Sequence, residues 1–447
     1  MHSIMHIHTL VLLAIASLSS AAPSGSHIQK RSFKVERVPN PGYMGRTPGA
    51  GTRALVKAHR KFQFDLPQGL LESMMADSST ASSLPPVEGK AAGNISKPSS
   101  TSSDSALQSG ISNQAPQSSG TGKVTATPLN GDVEYLSPIS IGGQMINMDF
   151  DSGSSDLWVF STQLPAASIG NHTTYDSQKS QTFQPMQGAT FKIAYGDGSG
   201  ASGNVGTDTV DIGGATVTQM TVELATAVSQ SFTADTGSNG LVGLALSKLN
   251  TVKPVKQKTF FESAMPSLNM PVFTADLRSN AVGAYEFGNI DQSKYNGSLN
   301  WAAIDPSNGF WQFSTQKFQV GDGQTVDAPG GTAIADTGTT LMLTSPEIVN
   351  AYYSQVRGAR NDAQAGGVTF PCKSQLPDLK VDVGGNYMAT IRGSDINFAP
   401  VDQAKTTCFG GVQAIQSNLQ IYGDIMFKSQ FVAFNLGNNS LGMAPHQ

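Results

Sequence analysis

Two short segments of this 447-residue chain place an aspartate inside an apolar run. Residues 147–160 read NMDFDSGSSDLWVF, with Asp151 before Ser-Gly-Ser, and residues 332–344 read TAIADTGTTLMLT, with Asp336 before Thr-Gly-Thr. A carboxylate is costly to bury in apolar surroundings unless it has a partner. Two carboxylates brought close together can share one proton, so that one serves as a general base and the other as a general acid.

Other catalytic groups are scarce in this part of the chain. From Lys123 onward there are two histidines, His172 in an Asn-His-Thr sequon and His446 next to the last residue, so a Ser-His-Asp triad is not expected. Cys372 and Cys408 are the two cysteines and are expected to bond to each other, which removes them as thiol nucleophiles or zinc ligands. If the chain is an enzyme, its catalytic groups are therefore expected to be carboxylates, and no metal or cofactor is expected.

The two aspartate segments also recur in a repeated context. Gly243 in GLVGLA lies 92 residues after Asp151, and Gly423 in IYGD lies 87 residues after Asp336. This long-period duplication predicts two β-lobes, each presenting one aspartate at a tight glycine turn. A third Asp-Thr-Gly, at Asp235 in TADTGSNG, lacks the apolar approach and breaks the spacing, so a structural role is expected for it.

Residues 123–447 alternate short runs of Val, Ile, Thr, Phe and Tyr with Gly and Asn, which is typical of β-strands. Together with the stretches DVEYLSPISIGG, AYGDGSGASG and QFVAFNLGNNSLGMAP, the aspartate motifs resemble the pepsin-like aspartic endopeptidases, most closely the secreted fungal penicillopepsins and aspergillopepsins. The resemblance implies an all-β, bilobal pepsin-like fold with a deep active-site cleft between two pseudo-symmetric β lobes. The lobes are expected at residues 123–305 and 306–447.

The resemblance also implies a reaction and a set of site residues. Water activated between Asp151 and Asp336 would hydrolyse internal peptide bonds of extended polypeptides, with a preference for hydrophobic residues around the scissile bond. Ser152 and Thr337 match hydroxyls that lock the two loops together. Serine stands here where the family more often has threonine, which keeps the hydroxyl. The residues expected to support the dyad are Ser152, Gly153, Ser154, Thr337, Gly338 and Thr339, of which Ser154 and Thr339 hydrogen-bond the carboxylates from outside.

A second implied group closes over the substrate. Tyr195 matches a tyrosine on a mobile flap hairpin, and Trp158 matches the residue that holds this tyrosine through its indole N–H. The residues expected in the flap and in substrate binding are Tyr195, Gly196, Asp197, Ser199, Trp158 and Thr340.

The N-terminal part of the chain differs in charge from the rest. Residues 9–18, TLVLLAIASL, followed by SSAA, predict a signal peptide over residues 1–21.

Residues 22–70 carry a net charge of +7, whereas residues 123–447 carry −9. A removable inhibitory segment over residues 22–72 explains this better than a nucleic-acid patch. Its stretches FKVERVPNPG and RALVKAHRKF resemble the family's propeptide, in which a lysine lies between the catalytic carboxylates. Lys57 and Lys61 are both candidates for that lysine.

Residues 73–122 are rich in serine and lack aromatic residues, which predicts a disordered linker that is removed on activation, with cleavage between Ser118 and Thr127.

We expect a secreted, extracellular monomer that acts on polypeptides, is inhibited by its own propeptide, and binds neither nucleic acid nor membrane. A non-catalytic pepsin-fold protein that binds peptides or glycans is the alternative. The candidate glycosylation sites are Asn94, Asn171, Asn296 and Asn438.

Overall fold

The computed structural model describes residues 33–37, 46–70, 123–129, 134–194, 200–235, 237–279, 283–328 and 331–447. The predicted signal peptide, the 73–122 linker with Asn94, and the flap residues Tyr195, Gly196, Asp197 and Ser199 lie outside these ranges.

Strands dominate the described residues. In chain order the first twelve are β1 (Phe33–Arg37), β2 (Lys123–Leu129), β3 (Glu134–Ile141), β4 (Gln144–Asp151), β5 (Leu157–Phe160), β6 (Gln184–Ala194), β7 (Gly200–Ile212), β8 (Ala215–Val228), β9 (Gly240–Gly243), β10 (Val272–Asp276), β11 (Ala284–Phe287) and β12 (Asn300–Ala303). The next fifteen are β13 (Gln312–Ser314), β14 (Lys317–Val320), β15 (Val326–Asp327), β16 (Thr332–Ala335), β17 (Met342–Thr344), β18 (Arg360–Asp362), β19 (Gly367–Pro371), β20 (Leu379–Val383), β21 (Tyr387–Ile391), β22 (Asn397–Pro400), β23 (Thr407–Gly410), β24 (Val412–Ala414), β25 (Leu419–Tyr422), β26 (Gln430–Asn435) and β27 (Ser440–Pro445).

The helices of the described residues are short. They are α1 (Ala50–Lys61), α2 (Ala166–Ile169), α3 (Gln230–Thr233), α4 (Phe260–Ala264), α5 (Pro346–Tyr353), α6 (Gly393–Ile396) and α7 (Asp424–Phe427). No helix in the described part of the chain combines the length and apolar character needed to cross a membrane.

One large sheet joins the two halves of the chain. Its order is β12-β27-β26-β10-β11-β1-β2-β3-β4-β9-β5-β8-β7-β6, with an extra pairing of β3 with β7. The smaller sheets have the orders β13-β16-β25-β17-β24, β15-β14-β20-β21 and β18-β19-β23-β22. Strand β1 comes from the basic N-terminal segment, which we call the leader (residues 22–72), and it lies between β11 and β2. The leader is therefore hydrogen-bonded into the main sheet.

The predicted duplication appears as two matching three-strand arrangements. In the first half, β9 pairs parallel with β4, placing Gly243 opposite Asp151, and antiparallel with β5. In the second half, β25 pairs parallel with β16 and antiparallel with β17. Asp336, directly after β16, donates its backbone N–H to Tyr422 in β25. The prediction of an all-β fold with two similar halves is confirmed.

An aromatic cluster fills the core between the halves. The Phe273 and Phe434 rings stack with centroids 4.3 Å apart, and the edge of Trp311 meets Phe434 at 5.2 Å. Trp311 also donates its indole N–H to the Leu244 carbonyl at 2.9 Å, which satisfies its polar atom within the buried core. Because Leu244 follows the first aspartate arrangement and Trp311 precedes the second, this contact ties the two halves together.

The predicted disulfide is present in the second half. Cys372 and Cys408 are bonded, with their Cα atoms 4.8 Å apart; Cys372 directly follows β19, and Cys408 lies within its partner strand β23. Closing a loop between residues 36 positions apart restricts the unfolded chain.

Replacing both cysteines with serine should therefore lower the free energy of unfolding by about 2–4 kcal/mol. Urea denaturation followed by tryptophan fluorescence, with the unmodified chain treated in parallel with a reducing agent, measures the loss. A change below about 0.5 kcal/mol in both samples would show that the bond does not stabilise this half.

Candidate active site

The two aspartates of the sequence motifs lie side by side where the halves meet. Asp151 is the last residue of β4 and Asp336 directly follows β16, and both side chains are buried. The ammonium group of Lys61, at the end of leader helix α1, lies 2.6 Å from Asp151 Oδ1 and 2.9 Å from both Asp336 carboxylate oxygens. One cation thus bridges two carboxylates that come from separate halves of the chain.

Local hydrogen bonds fix the Asp151 carboxylate. The Gly153 backbone N–H donates to its Oδ1 at 2.8 Å, and the Ser154 hydroxyl donates to its Oδ2 at 2.6 Å. These donors come from the tight turn that follows the aspartate. Both carboxylate oxygens are therefore held before any substrate arrives.

The second loop repeats the arrangement almost atom for atom. The Gly338 N–H donates to Asp336 Oδ1 at 3.0 Å, and the Thr339 hydroxyl donates to Oδ2 at 2.5 Å. A Cβ added at Gly153 would come within 2.5 Å of the Asp336 carboxylate, and one added at Gly338 would meet that of Asp151. Glycine is required at both positions because each loop packs against the carboxylate of the other.

The loops are joined by a reciprocal pair of hydroxyl contacts. Thr337 Oγ1 accepts from the Ser152 N–H at 3.0 Å, and Ser152 Oγ accepts from the Thr337 N–H at 2.9 Å. Each hydroxyl then donates across the interface, Ser152 to the Ala335 carbonyl at 2.8 Å and Thr337 to the Phe150 carbonyl at 2.7 Å. Four buried hydrogen bonds therefore set the spacing of the aspartates.

The glycines that follow each aspartate at long distance allow a second close approach. A Cβ at Gly243 would lie 2.5 Å from the Ser155 Cα, and a Cβ at Gly423 would meet the Thr339 and Leu341 carbonyl oxygens. Each glycine thus lets its strand pass directly beneath an aspartate loop, which explains why the two motifs repeat at similar spacing.

Burial and the charge of Lys61 shift the pKa values of Asp151 and Asp336. Burial raises the pKa of Asp151, but the charge of Lys61 and the hydrogen bonds around the carboxylate outweigh it, and the pKa falls to about 2. For Asp336, burial and the charge of Asp151 outweigh Lys61 and raise the pKa to about 6. Burial alone would lower the pKa of Lys61, but the two carboxylates raise it. The pair therefore separates into one ionised and one readily protonated carboxyl group.

A third carboxyl group, Asp149, lies on the same strand two residues before Asp151. It lines a cavity of about 550 Å³ between α1 and the first half, together with Lys57 and Leu241. Burial raises the pKa of Asp149 to about 7, against the opposing charge of Lys57. Asp149 was not predicted from the sequence, although the spacing Asp-Phe-Asp in a strand directs both carboxylates to one face.

The leader helix is fastened to the second half of the chain. The Thr52 hydroxyl donates to the Ala365 carbonyl at 2.8 Å, the Gly49 N–H donates to the Pro400 carbonyl at 3.1 Å, and Gly51 packs directly on Phe409. Lys57 and Lys61 lie one turn apart on α1 and share a face. Lys61 reaches the dyad, whereas Lys57 lines the cavity beside Asp149.

The remaining expected residues lie around the cavity and the loops. Trp158 is buried and lines the cavity, and its indole N–H has no hydrogen-bond partner among the described residues. Its expected partner Tyr195 lies outside those residues, so the contact stays a prediction. Thr340 is buried and its carbonyl accepts from the Ile425 N–H. Asp235 lies on the cavity wall after α3 and takes no part in the Asp151–Asp336 arrangement.

The candidate glycosylation sites in the described residues are all on the surface. Asn171, Asn296 and Asn438 are exposed, and each precedes a serine or threonine by two positions. Their occupancy stays a prediction.

Two aspartate loops facing each other across matching β halves define an aspartic-type peptidase. The sequence comparisons agree with the geometry: residues 134–446 match the family model for eukaryotic aspartyl proteases. The chain belongs to this family.

Curated relatives extend the match. The chain is 44% identical to an aspergillopepsin A-like aspartic endopeptidase of Aspergillus fumigatus over 99% of both chains. It is 47% identical to aspergillopepsin-1 of Aspergillus flavus over 73% of this chain and 80% of the relative, and 46% identical to penicillopepsin-1 of Penicillium janthinellum over 72% of this chain and 98% of the relative. The predicted pepsin-like aspartic endopeptidase is confirmed as to family, fold and class of enzyme.

The reciprocal hydroxyl contact leads to a test. Thr337→Val keeps the shape of the side chain but leaves the Ser152 N–H and the Phe150 carbonyl without their partner, so the unfolding free energy should fall by about 1–3 kcal/mol. Since the aspartate spacing depends on the contact, kcat should fall about 10–100-fold. Thr337→Ser, which keeps the hydroxyl, is the matched control. Equal losses in the two variants would refute a role for the hydroxyl.

Proposed function

We propose that the chain is the zymogen of a secreted, acid-acting aspartic endopeptidase. The observation that carries this proposal is that the buried carboxyl groups of Asp151 and Asp336 lie side by side, each held by the donors of its own turn, so that the two can share one proton. Such a pair holds a base and an acid at the same site, as peptide hydrolysis requires.

The mechanism follows from the positions of the oxygens. Once Lys61 has left, a water molecule bound between the carboxylates gives a proton to the ionised aspartate and attacks the peptide carbonyl carbon. The protonated aspartate donates to the carbonyl oxygen, giving a tetrahedral diol. Proton transfer to the amide nitrogen then breaks the C–N bond and releases an amine and a carboxylic acid. No covalent bond forms to the enzyme.

The leader acts in this proposal as an intramolecular inhibitor. Lys61 occupies the space between the aspartates where the water would bind, and α1 covers the cavity lined by Asp149 and Trp158. Of the two lysines left open by the sequence, Lys61 is therefore the one to which we assign the blocking role. The leader's positive charge against the acidic remainder of the chain favours the same docked arrangement.

Acid would release the leader through groups at this contact. His59 on α1 is buried, its Nδ1 lies 2.8 Å from the Asp65 carbonyl, and burial lowers its pKa against the effect of Asp65. A histidine whose pKa is lowered by docking favours docking above its ordinary pKa. That contribution is lost as the pH falls from about 6.5 toward the lowered value. Protonation of Asp336 near pH 6 also removes negative charge that faces Lys61.

The lining of the cavity supports an extended polypeptide with apolar residues as the substrate. An extended polypeptide would lie across the loops, with apolar side chains near the scissile bond against residues such as Phe232 and Leu241, which line the cavity. The signal peptide, the secreted monomer, the domain boundaries and removal of the linker remain part of the proposal.

The direct test is peptide cleavage by the activated chain from pH 2 to 7, with and without a statine-type inhibitor, beside an Asp336→Asn variant. We expect cleavage limited to acidic pH and abolished by both the inhibitor and the substitution. Folded, leader-free protein that cleaves nothing but binds peptides or glycans would support the non-catalytic alternative.

The leader contact makes its own prediction. Lys61→Met keeps an unbranched apolar stem but removes the charged terminal group, so the full chain should cleave a peptide substrate at about pH 6 without acid pretreatment. Lys57→Met is the matched control and should remain inactive at that pH. Initial cleavage rates on freshly purified protein measure the difference, and equal latency in the two variants would overturn the assignment.

The buried histidine makes a separate prediction for activation. His59→Asn keeps a donor near the Asp65 carbonyl but cannot take up a proton, so leader release should require a lower pH, by about half a unit or more. Conversion followed by gel electrophoresis at pH steps from 6.5 to 3 measures the midpoint. An unchanged midpoint would show that carboxylates alone set the release.

A further inference from the structure

A second pair of buried carboxyl groups, which takes no part in the proposed reaction, lies beneath the Asp151 turn. Asp156 directly precedes β5, and Glu223 lies within β8, opposite Trp158 of the parallel strand β5. Asp156 is 3% exposed and Glu223 is 1% exposed, and their carboxyl groups are hydrogen-bonded to each other. Because a carboxyl group can donate only when it is protonated, this contact contains one proton.

The surrounding hydrogen bonds show which carboxyl group carries that proton. Asp156 Oδ1 accepts from the Thr251 N–H at 2.8 Å, from the Thr251 hydroxyl at 3.2 Å and from the Asn250 amide at 2.8 Å. Glu223 Oε1 accepts from the same amide at 3.1 Å, whereas its buried Oε2 accepts from none of the residues that the structure describes. Donors gather around an ionised carboxylate, so Asp156 is the ionised member and Glu223 donates to it.

The low polarity of the site favours the same assignment. Burial raises the pKa of Asp156 against the opposing hydrogen bonds from Thr251. Burial also raises the pKa of Glu223 well above its usual range, and the charge of Asp156 adds to this effect. Glu223 therefore keeps its proton at a pH at which an exposed glutamate has lost it.

This pair is connected to the catalytic turn through one amide side chain. The Asn250 amide, which contacts both carboxyl groups, also donates to the Ser155 carbonyl at 3.2 Å. Ser154, one residue earlier, donates its hydroxyl to Asp151 Oδ2 at 2.6 Å. A displacement of Asp156 or Asn250 would therefore move the group that fixes the catalytic carboxylate.

We infer that Glu223 is a positioning residue whose proton joins β8 to Asp156 and thereby holds the Asp151 turn in its active shape. When that proton is lost, two buried carboxylates repel each other directly beneath the turn. Because the pKa of Glu223 is raised by folding, the stability that the proton provides is complete below the ordinary value of about 4.3 and declines as the pH rises toward the raised value. The inference rests on the proposed acid-acting function only for its kinetic readout.

The charges of the neighbouring elements lie around this contact. Strands β5 and β9 carry no titratable residue, and β8 carries none besides the member of the pair. On β7, Asp208 and Asp211 each accept from donors of their own, and Glu262 of α4 accepts from a backbone N–H. The segment between β9 and α4 carries four exposed lysines, the third of which favours the ionised form of Asp156: Lys248, Lys253, Lys256 and Lys258.

The kinetic test measures inactivation of the activated chain at pH 7.5. Glu223→Gln donates to Asp156 from an amide that does not titrate, so it should inactivate about tenfold more slowly than the unmodified chain, the equivalent of one pKa unit. Samples returned to pH 4.5 give the peptidase activity that remains, relative to the starting activity of each protein. Glu262→Gln removes a nearby carboxylate outside the pair and should inactivate at the unmodified rate. Equal rates for Glu223→Gln and the unmodified chain overturn the inference.

A further variant separates the hydrogen bond from the charge. Glu223→Leu removes the titrating group but also removes the donor to Asp156, so it should inactivate faster than Glu223→Gln at both pH 4.5 and pH 7.5. If Glu223→Leu resists neutral pH as well as Glu223→Gln does, loss of the charge alone is enough. That result would contradict a positioning role for the hydrogen bond.

A readout without catalysis keeps the test independent of the proposed acid protease activity. In the full chain carrying Asp336→Asn, infrared difference spectra with and without Glu223→Gln isolate the carboxyl group of Glu223. We expect the C=O stretching band of a protonated carboxyl group at pH 6. This band should disappear over the pH range in which the urea midpoint of the chain with Glu223 falls below that of the Gln variant.

The two proposals can fail separately. If the band is absent at pH 6, or if the urea midpoints of the two proteins stay equal at every pH, the inference about Glu223 is overturned, even if peptide cleavage proves to be acid-limited. A chain that shows the band and the shift in midpoint but cleaves no peptide would overturn the proposed function alone.

Discussion

The structure depends on two carboxylates held together in a buried site. Each of Asp151 and Asp336 ends an apolar strand, where an ionised group without partners would be strongly destabilising. Four hydrogen bonds from the aspartate turns and the ammonium group of Lys61 offset that cost. The remainder of the fold is arranged so that these donors reach the carboxylates.

The two carboxylates are held by the same arrangement of strands and turn, which occurs once in each half of the chain. Each half contributes the same three strands, the same tight turn and the same glycine beneath it, so one set of local contacts is used twice. The hydroxyls of Ser152 and Thr337 then join the halves at the point of closest approach. Because the aspartates come from separate halves, their spacing is set by this junction and by the shared core around Trp311. Small movements of one half relative to the other would change the shared ionisation of the pair.

The residues that belong to the repeated motifs could be predicted from the sequence. The residues whose position depends on how the elements pack could not. Asp151, Asp336 and the two distant glycines were found because motif and spacing occur twice, and the disulfide because the chain has two cysteines. The choice between Lys57 and Lys61 could not be made, since they share a helix face and docking of α1 alone decides which one reaches the dyad. His172 was set aside as part of a sequon, because nothing in the sequence indicates that its ring faces two carbonyls contributed by residues more than 60 positions away.

In the full chain Lys61 forms an ion pair with both aspartates, and lysine acetylation at neutral pH measures how firmly its ammonium group is held there. Lys61 has a side chain that is 10% exposed and a raised pKa, so its amine should react far more slowly than that of the exposed Lys256. Mass spectrometry after brief treatment with an acetylating reagent, with urea-unfolded chain as the reference, measures both rates. Lys61 should be protected at least about 100-fold in the folded chain, and this protection should disappear on unfolding. A Lys61 amine that reacts as fast as that of Lys256 in the folded chain would rule out the ion pair.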